Sequence, residues 1–337
     1  MSGTQRMKQA MDLIYGASRS FMVYTAVKLE IVDHLFQRPM NAEQLAVLTN
    51  TKPELLYRFL RALVSIRILD ENENKMFSVT ELGLMFKSGH ENSVKNFMLM
   101  VNELIPQTLA TLDNTLQKGE HPFEHVYGMS YFDYISKNAY HRNVFDDAMQ
   151  EYAKVCRYDL LPEKYNYGNF KHIVDVGGGL GDFLISILQK YENVTGTVFD
   201  VKDCIEKANI EIAKNNLQNR CSTKVGDFFD CVPGDADCYT LRGVLHNWDE
   251  KNAFKILCNI RKVMKTNSKL LIIEETVPET NEPHVSNEFN VVILAFSGGE
   301  ARTKSKLKEL GAKAMLRLDN FVEIEECCMS MIEFSPV

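Results

Sequence analysis

The stretch KHIVDVGGGLGDFLISILQKY, residues 171–191, restricts the fold more than any other part of this 337-residue chain. HIVDV is a short β-branched run of the kind that forms a buried strand. Gly177, Gly178, Gly179 and Gly181 form a turn without side chains, and DFLISILQKY returns as a helix. A strand passed through a glycine turn into a helix is the opening unit of a parallel α/β sheet, with the helix N-terminus open toward a ligand. The runs TGTVFD, DCYTLR and KLLIIEE continue the rhythm, separated by helical stretches. The pattern predicts a Rossmann-like, doubly wound, mostly parallel sheet over residues 166–337.

Glycine spacing bears on the ligand. Dinucleotide-binding turns run GxGxxG, whereas here Gly177, Gly179 and Gly181 follow Asp175 as GxGxG. That form suits S-adenosylmethionine, which has no pyrophosphate to place at the helix end. Asp200 ends the next strand, 23 residues after Gly177, where a carboxylate can accept both hydroxyls of a ribose. Asp227, between Gly226 and Phe228, comes 27 residues after Asp200, with an acceptor for an adenine amino group and a ring to pack on it. His246 lies 19 residues past Asp227, Glu274 another 28 on, and Glu300 a further 26. These marked positions recur about once per β-α unit, and most follow a strand directly. The carboxyl ends of parallel strands share one crevice, so the spacing gathers them there. A histidine at that edge is a fitting general base near neutral pH, and a carboxylate such as Glu274 can fix its tautomer.

Before residue 165 the apolar spacing is helical. A helix over about residues 7–36 is predicted, with a middle, SFMVYTAVKLEIVDHLF, that is apolar on nearly every face. Such a helix must be covered on all sides, and a second subunit is the simplest cover. NAEQLAVLTNTKPELLYRFLRALVSIRIL reads as two short helices, with Asn41 and Thr51 as caps and Pro53 in the second helix's first turn. ILDENENKMFSVT completes a winged helix with a two-stranded wing. Winged helices bind DNA in other proteins, but residues 1–105 hold 12 Lys and Arg against 11 Asp and Glu. A scaffold for dimerisation fits that balance better than a nucleic-acid reader. Residues 93–165 are predicted helical apart from a loop at KGEHPFEHVYGMS, and their Met and aromatic residues, Met100, Phe145 and Met149 among them, suit a flat apolar ligand.

Bulk properties narrow the setting. Thirty-eight basic against 45 acidic residues give a net charge of −7, a poor match to nucleic acid or anionic lipid. No apolar run approaches the ~18 residues of a membrane span, and MSGTQRMKQAMDLIYGASRS lacks the apolar block of a secretory leader. The eight cysteines form no CxxC pair or metal-ligand spacing, so reduced thiols in a cytoplasmic protein are expected.

With these residues in place, the chain resembles the S-adenosylmethionine-dependent O-methyltransferases of the caffeate and flavonoid, acetylserotonin and bacterial polyketide type. The resemblance runs nearly the whole length. DVGGGLGD is similar to the family's cofactor loop, VFD to its ribose carboxylate, GDFF to its adenine pocket, LHNWDE to its catalytic segment, and IIEETVP and GGEART to its two supporting glutamates. It implies a homodimer through a winged-helix region over 1–105, a helical connector over 106–165 contributing to the substrate pocket, and a catalytic domain over 166–337. It further implies His246 as base with Glu274 and Glu300 in support. Asp175, Gly177, Gly179, Gly181, Asp200, Val201, Gly226, Asp227, Phe228 and Arg242 would surround the cofactor, and Met100, Phe145, Met149, Asn247 and Asn290 the acceptor. Two departures stand out: Asn247 follows the histidine where the family often has Asp, and Ala301 occupies the place of the second glutamate, with Glu300 one position earlier. The expected reaction is methylation of a phenolic hydroxyl on a small aromatic, without a metal. The alternatives are a non-methylating member of the same fold and, more remotely, a DNA-binding regulator.

Overall fold

The computed structural model describes residues 2–337, which divide into two compact units: residues 2–106 with 135–155, and residues 107–134 with 156–337. Within the stretch 106–165, residues 107–134 and 156–165 fall in the second unit and residues 135–155 in the first.

The first unit opens with α1 (Gly3–Ile14), α2 (Gly16–Lys28) and α3 (Ile31–Gln37). The single long helix expected from periodicity is thus three. The chain reverses at Glu30, in the left-handed region with φ of 52°, which folds the apolar segment onto itself. Val23, Ala26, Ile31, Val32 and Leu35 enter a core with α4 (Ala42–Thr49) and α5 (Pro53–Ser65). Much of the cover is therefore internal. The apolar residues that stay exposed sit at the start: α1 buries none, and Leu13 and Ile14 are 83% and 66% exposed. Asn41 caps α4 in a reciprocal box with Gln44, and Pro53 takes the first turn of α5. The expected Thr51 cap does not form; Lys52 holds that place and the Thr51 hydroxyl meets that of Thr49 at 2.9 Å. The antiparallel pair β1 (Leu69–Glu71) and β2 (Phe77–Val79) is the wing.

After α6 (Glu81–Leu84) come α7 (Lys95–Leu109), α8 (Leu112–Lys118), α9 (Pro122–Tyr127), α10 (Tyr131–Ser136) and α11 (Ala139–Val155). The expected loop at 118–130 contains α9, started by Pro122 and stopped by Gly128 in a left-handed conformation.

The second unit is built on a seven-stranded sheet. Its strands are β3 (His172–Val176), β4 (Thr195–Asp200), β5 (Cys221–Val225), β6 (Cys238–Arg242), β7 (Lys269–Glu274), β8 (Leu316–Ile324) and β9 (Met329–Pro336), in the order β5-β4-β3-β6-β7-β9-β8. The first five are mutually parallel; β9 and β8 run antiparallel at the edge. Alternation along the strands feeds two cores. Ile173, Val198, Leu271 and Ile273 face α12 (Asp182–Lys190) and α13 (Lys202–Lys214), while Val174, Val176, Leu241 and Ile272 face α14 (Glu250–Val263). Two more helices, α15 (Val285–Ser297) and α16 (Lys304–Lys313), precede β8. Strand order reverses between β3 and β6, and at such a point an open sheet leaves a crevice at its carboxyl edge.

Candidate active site

The glycine turn leaves β3 at that switch point. Gly177, Gly179 and Gly181 all take positive φ, at 69°, 57° and 82°. The positions differ in what surrounds them. A Cβ on Gly177 would stand 2.9 Å from Val244, whereas one on Gly179 would meet nothing within 4 Å. Gly179 therefore borders open space. Its N–H donates to Asp200 Oδ2 at 2.8 Å, and the N–H of Val201 donates to Oδ1 at 2.7 Å, tying the carboxylate at the tip of β4 to the loop and to the start of α13. From the loop after β5, Phe228 comes to the opposite side of the turn, 3.5 Å from where a Gly177 Cβ would be, and Gly226 lies flat against Phe199. Asp227 is exposed and closes its own turn by accepting from the N–H of Phe229 at 2.7 Å.

Asp175 lies beneath the turn, fully buried. One oxygen accepts from the Thr240 hydroxyl at 2.6 Å; the other, Oδ2, is buried without a partner. Burial raises this carboxyl to about 6, against the pull of Thr240 and Arg242. A buried carboxylate oxygen lacking a donor is costly, and beside an open glycine cradle it fits a cationic group such as the ammonium of an amino-acid moiety. Arg242 completes this side, its guanidinium 5.4 Å and 5.5 Å from the rings of Tyr158 and Phe183 and bonded to Asp182 at 2.9 Å.

His246 sits on the other flank, in a 3-10 turn, Leu245–Asn247, that follows β6 through Gly243 at φ 62°. The Asn247 amide closes this turn by donating to the Gly243 carbonyl at 3.1 Å. The ring of Phe289, on α15, stands edge-on to the imidazole with centroids 5.6 Å apart. The expected pairing of imidazole with carboxylate is not formed. His246 Nδ1 is buried without a partner. Glu274, 1% exposed, instead faces the backbone N–H groups of the turn and accepts from that of His246 at 3.1 Å. Burial pushes its carboxyl up to about 7, against Arg302 and those N–H groups. Glu300 is turned away too: its carboxylate pairs with Lys306 and lies 3.9 Å from Arg302 Nε. The reason is register. The side chain one position on, which belongs to Ala301, is the one buried at 2% exposure. Burial, reinforced by the Arg302 cation, lowers the His246 imidazole to about 4.

Asn290 does not present its carbonyl to the crevice, since Oδ1 accepts from the N–H of Ala301 at 2.9 Å. Met100 and Phe145 belong to the first unit, in a small apolar cluster with Val27, Leu99, Val144 and Ala148, and Met149 is 36% exposed there. Three contributors went unassigned in the sequence: Thr240 and Asp182, which partner Asp175 and Arg242, and Arg302. The signal for Arg302 was its place in GGEART, a segment otherwise read only for its carboxylate. Among the described residues no cluster of three or more His, Cys, Asp or Glu side chains is placed to hold a metal ion, and no helix is long and apolar enough to cross a membrane.

This geometry coincides with a family match over most of the chain. The O-methyltransferase domain matches residues 109–316, and the O-methyltransferase dimerisation domain matches residues 11–89. The chain is an S-adenosylmethionine-dependent O-methyltransferase. Among its relatives, the phenazine O-methyltransferase PhzM of Lysobacter antibioticus is 32% identical over 97% of this chain and 95% of its own. The 8-amino-8-demethylriboflavin N,N-dimethyltransferase of Streptomyces davaonensis is 30% identical over 88% and 86%. Among solved structures, LaPhzM superposes with a TM-score of 0.92 at 32% identity over 98% of this chain and 99% of that one. NcsB1 from neocarzinostatin biosynthesis, solved with S-adenosylmethionine and 2-hydroxy-5-methyl naphthoic acid, superposes at 0.86 with 25% identity over 95% and 96%. The methyltransferase thus takes S-adenosylmethionine as methyl donor and releases S-adenosylhomocysteine.

Proposed function

We propose that this methyltransferase acts on a phenolic hydroxyl of a small, flat aromatic secondary metabolite, with His246 as the group that receives the acceptor's proton. The observation that carries the reading is the placement of His246 in a rigid turn at the same sheet edge as the glycine cradle and the unpartnered oxygen of Asp175. S-adenosylmethionine, when bound, supplies a methyl group already activated as a sulfonium. Gly177, Gly179 and Gly181 with Asp200 and Val201 would hold its nucleoside, Asp227 and Phe228 its base, and Asp175 its ammonium, with Arg242 steadying the start of α12. The chain's remaining task is to align the acceptor and take its proton. Alignment accounts for roughly 7–11 kcal/mol of barrier in favourable cases. Nδ1 is buried, so Nε2 is the nitrogen available to the acceptor. A ring held well below the ordinary imidazole value is neutral across the neutral range, which leaves a lone pair free to accept while reducing its basicity. Asn247, on the turn that carries His246, is the proposed acceptor contact from this unit.

We place the working form as a homodimer. The dimerisation domain matches residues 11–89, and Leu13 and Ile14 of α1 present apolar side chains that nothing in the described chain covers. A nucleic-acid role is disfavoured by α5, where Arg61 is tied to Glu71 at 3.1 Å. The test is a panel of hydroxynaphthoates, hydroxyphenazines and catechols incubated with S-adenosylmethionine. Stoichiometric S-adenosylhomocysteine and an O-methylated aromatic are expected. A folded protein that binds the cofactor but turns over none of them, or that methylates only amine nitrogens, overturns the proposal.

A further inference from the structure

Arg302 is 2% exposed, and its guanidinium is satisfied almost wholly by backbone oxygens: Nη1 donates to the carbonyls of Leu245 at 3.0 Å and Glu300 at 3.1 Å, and Nη2 to that of Trp248 at 2.7 Å. Removing a guanidinium from water is expensive, and a well-packed apolar side chain would ordinarily tie two loops together at less cost. The bonds therefore call for a reason beyond cohesion, and their placement gives one. Leu245 and Trp248 bracket His246. The carbonyls on that side of the 3-10 turn are taken by Arg302, while the N–H groups on the other side are taken by the buried carboxylate of Glu274. The turn is thus held between two full charges, a cation at the carbonyls of Leu245 and Trp248 and a carboxylate at the N–H of His246. Gly299 lets the segment approach this closely, because a Cβ there would run into the His246 carbonyl. The imidazole itself has no carboxylate partner, and Nδ1 is bare.

We infer that Arg302 is a positioning residue for His246, gripping the turn by its carbonyls while Glu274 grips it by its N–H groups, so that the ring is oriented through the backbone rather than through a hydrogen bond to the ring. The inference rests on His246 as proton acceptor and adds how that acceptor is aimed. The groups facing the imidazole are the Arg302 cation, the Glu274 carboxyl beneath the turn and the uncharged ring of Phe289; Glu300 is drawn off by Lys306. Arg302 thus has a second effect that cohesion alone would not produce: its charge opposes protonation of His246.

Two substitutions separate these effects. Arg302→Lys keeps the cation but loses the planar fork that spans two carbonyls. Its kcat is expected to fall about 10-fold, with the acid limb of the kcat/KM profile unmoved. Arg302→Met loses both; kcat is expected to fall about 10²-fold, the scale of an ~1 Å misplacement. Its acid limb should rise toward the ordinary imidazole value of about 6.5. In both, affinity for S-adenosylhomocysteine, measured by calorimetry, should change by less than about threefold, because kcat rather than cofactor binding carries the defect. Should Arg302→Met fail to fold, Arg302→Gln gives the same comparison, and ring-nitrogen NMR of 15N-histidine-labelled protein reads the His246 titration without turnover. An acid limb in the neutral variants that coincides with the parent's, or loss of cofactor affinity in step with kcat, overturns the inference. If His246→Ala itself retains full turnover, it is the proton-acceptor reading that fails.

Discussion

Substituting Gly179 by alanine separates the cofactor cradle from the fold. At φ 57° an L side chain is disfavoured, by roughly 1–2 kcal/mol in the left-handed region. No steric penalty adds to this, since the new Cβ meets nothing within 4 Å. For a unit of about 200 residues each kcal/mol moves the midpoint by roughly 2–4 °C, so Gly179→Ala should melt about 2–8 °C lower. Ligand affinity should suffer more. The methyl enters the space the turn keeps open, on the residue whose N–H is aligned by Asp200. A loss of at least ~1.4 kcal/mol, about tenfold in Kd, is expected. Gly177→Ala is the contrasting case: it combines φ of 69° with a 2.9 Å approach to Val244, so its first consequence is instability. Calorimetric titration with S-adenosylhomocysteine alongside thermal melts decides the matter. A Gly179→Ala protein that binds the nucleoside as tightly as the parent would show that the open side of the turn is not where the ligand lies.

Two other outcomes follow. Asp175 holds its proton up to about pH 6 in the free protein, so below that pH it is neutral and no longer attracts a cation; S-adenosylhomocysteine affinity should weaken as pH falls through about 6, and Asp175→Asn should flatten that dependence. In α1, Ile14→Glu places a charge on the uncovered apolar surface and should shift the protein from dimer toward monomer in light scattering after gel filtration, with dimer persistence at micromolar concentration counting against α1 as part of the interface.

The parallel sheet and glycine turn were legible in the sequence because both rest on local rules: β-branched runs of fixed length, and a conformation that glycine adopts without penalty. The wing and the Asn41 cap were legible for the same reason. Periodicity did not show where α1, α2 and α3 break, since a segment apolar on every face carries no phase to mark a turn, and the reversal at Glu30 is set by the packing of Val23, Ile31 and Leu35. At the site, spacing brought Asp175, Asp200, Phe228, His246 and Glu274 to one edge, yet it could not say which atoms of each would be engaged. Glu274 answers to backbone N–H groups and Asn290 to the Ala301 amide, pairings that leave no trace in residue identity. The one-residue difference between Glu300 and Ala301 was visible in the sequence, but its outcome, a carboxylate drawn to Lys306, was decided by the packing around Arg302.

Turnover of His246→Ala tests the central claim most directly. Losing a general base typically costs about 10²–10⁴-fold in rate, and nothing places the ring in the cofactor cradle. The account therefore predicts a kcat lower by that factor with S-adenosylhomocysteine affinity nearly unchanged. A variant that keeps full turnover, or that loses cofactor affinity as steeply as rate, would contradict it.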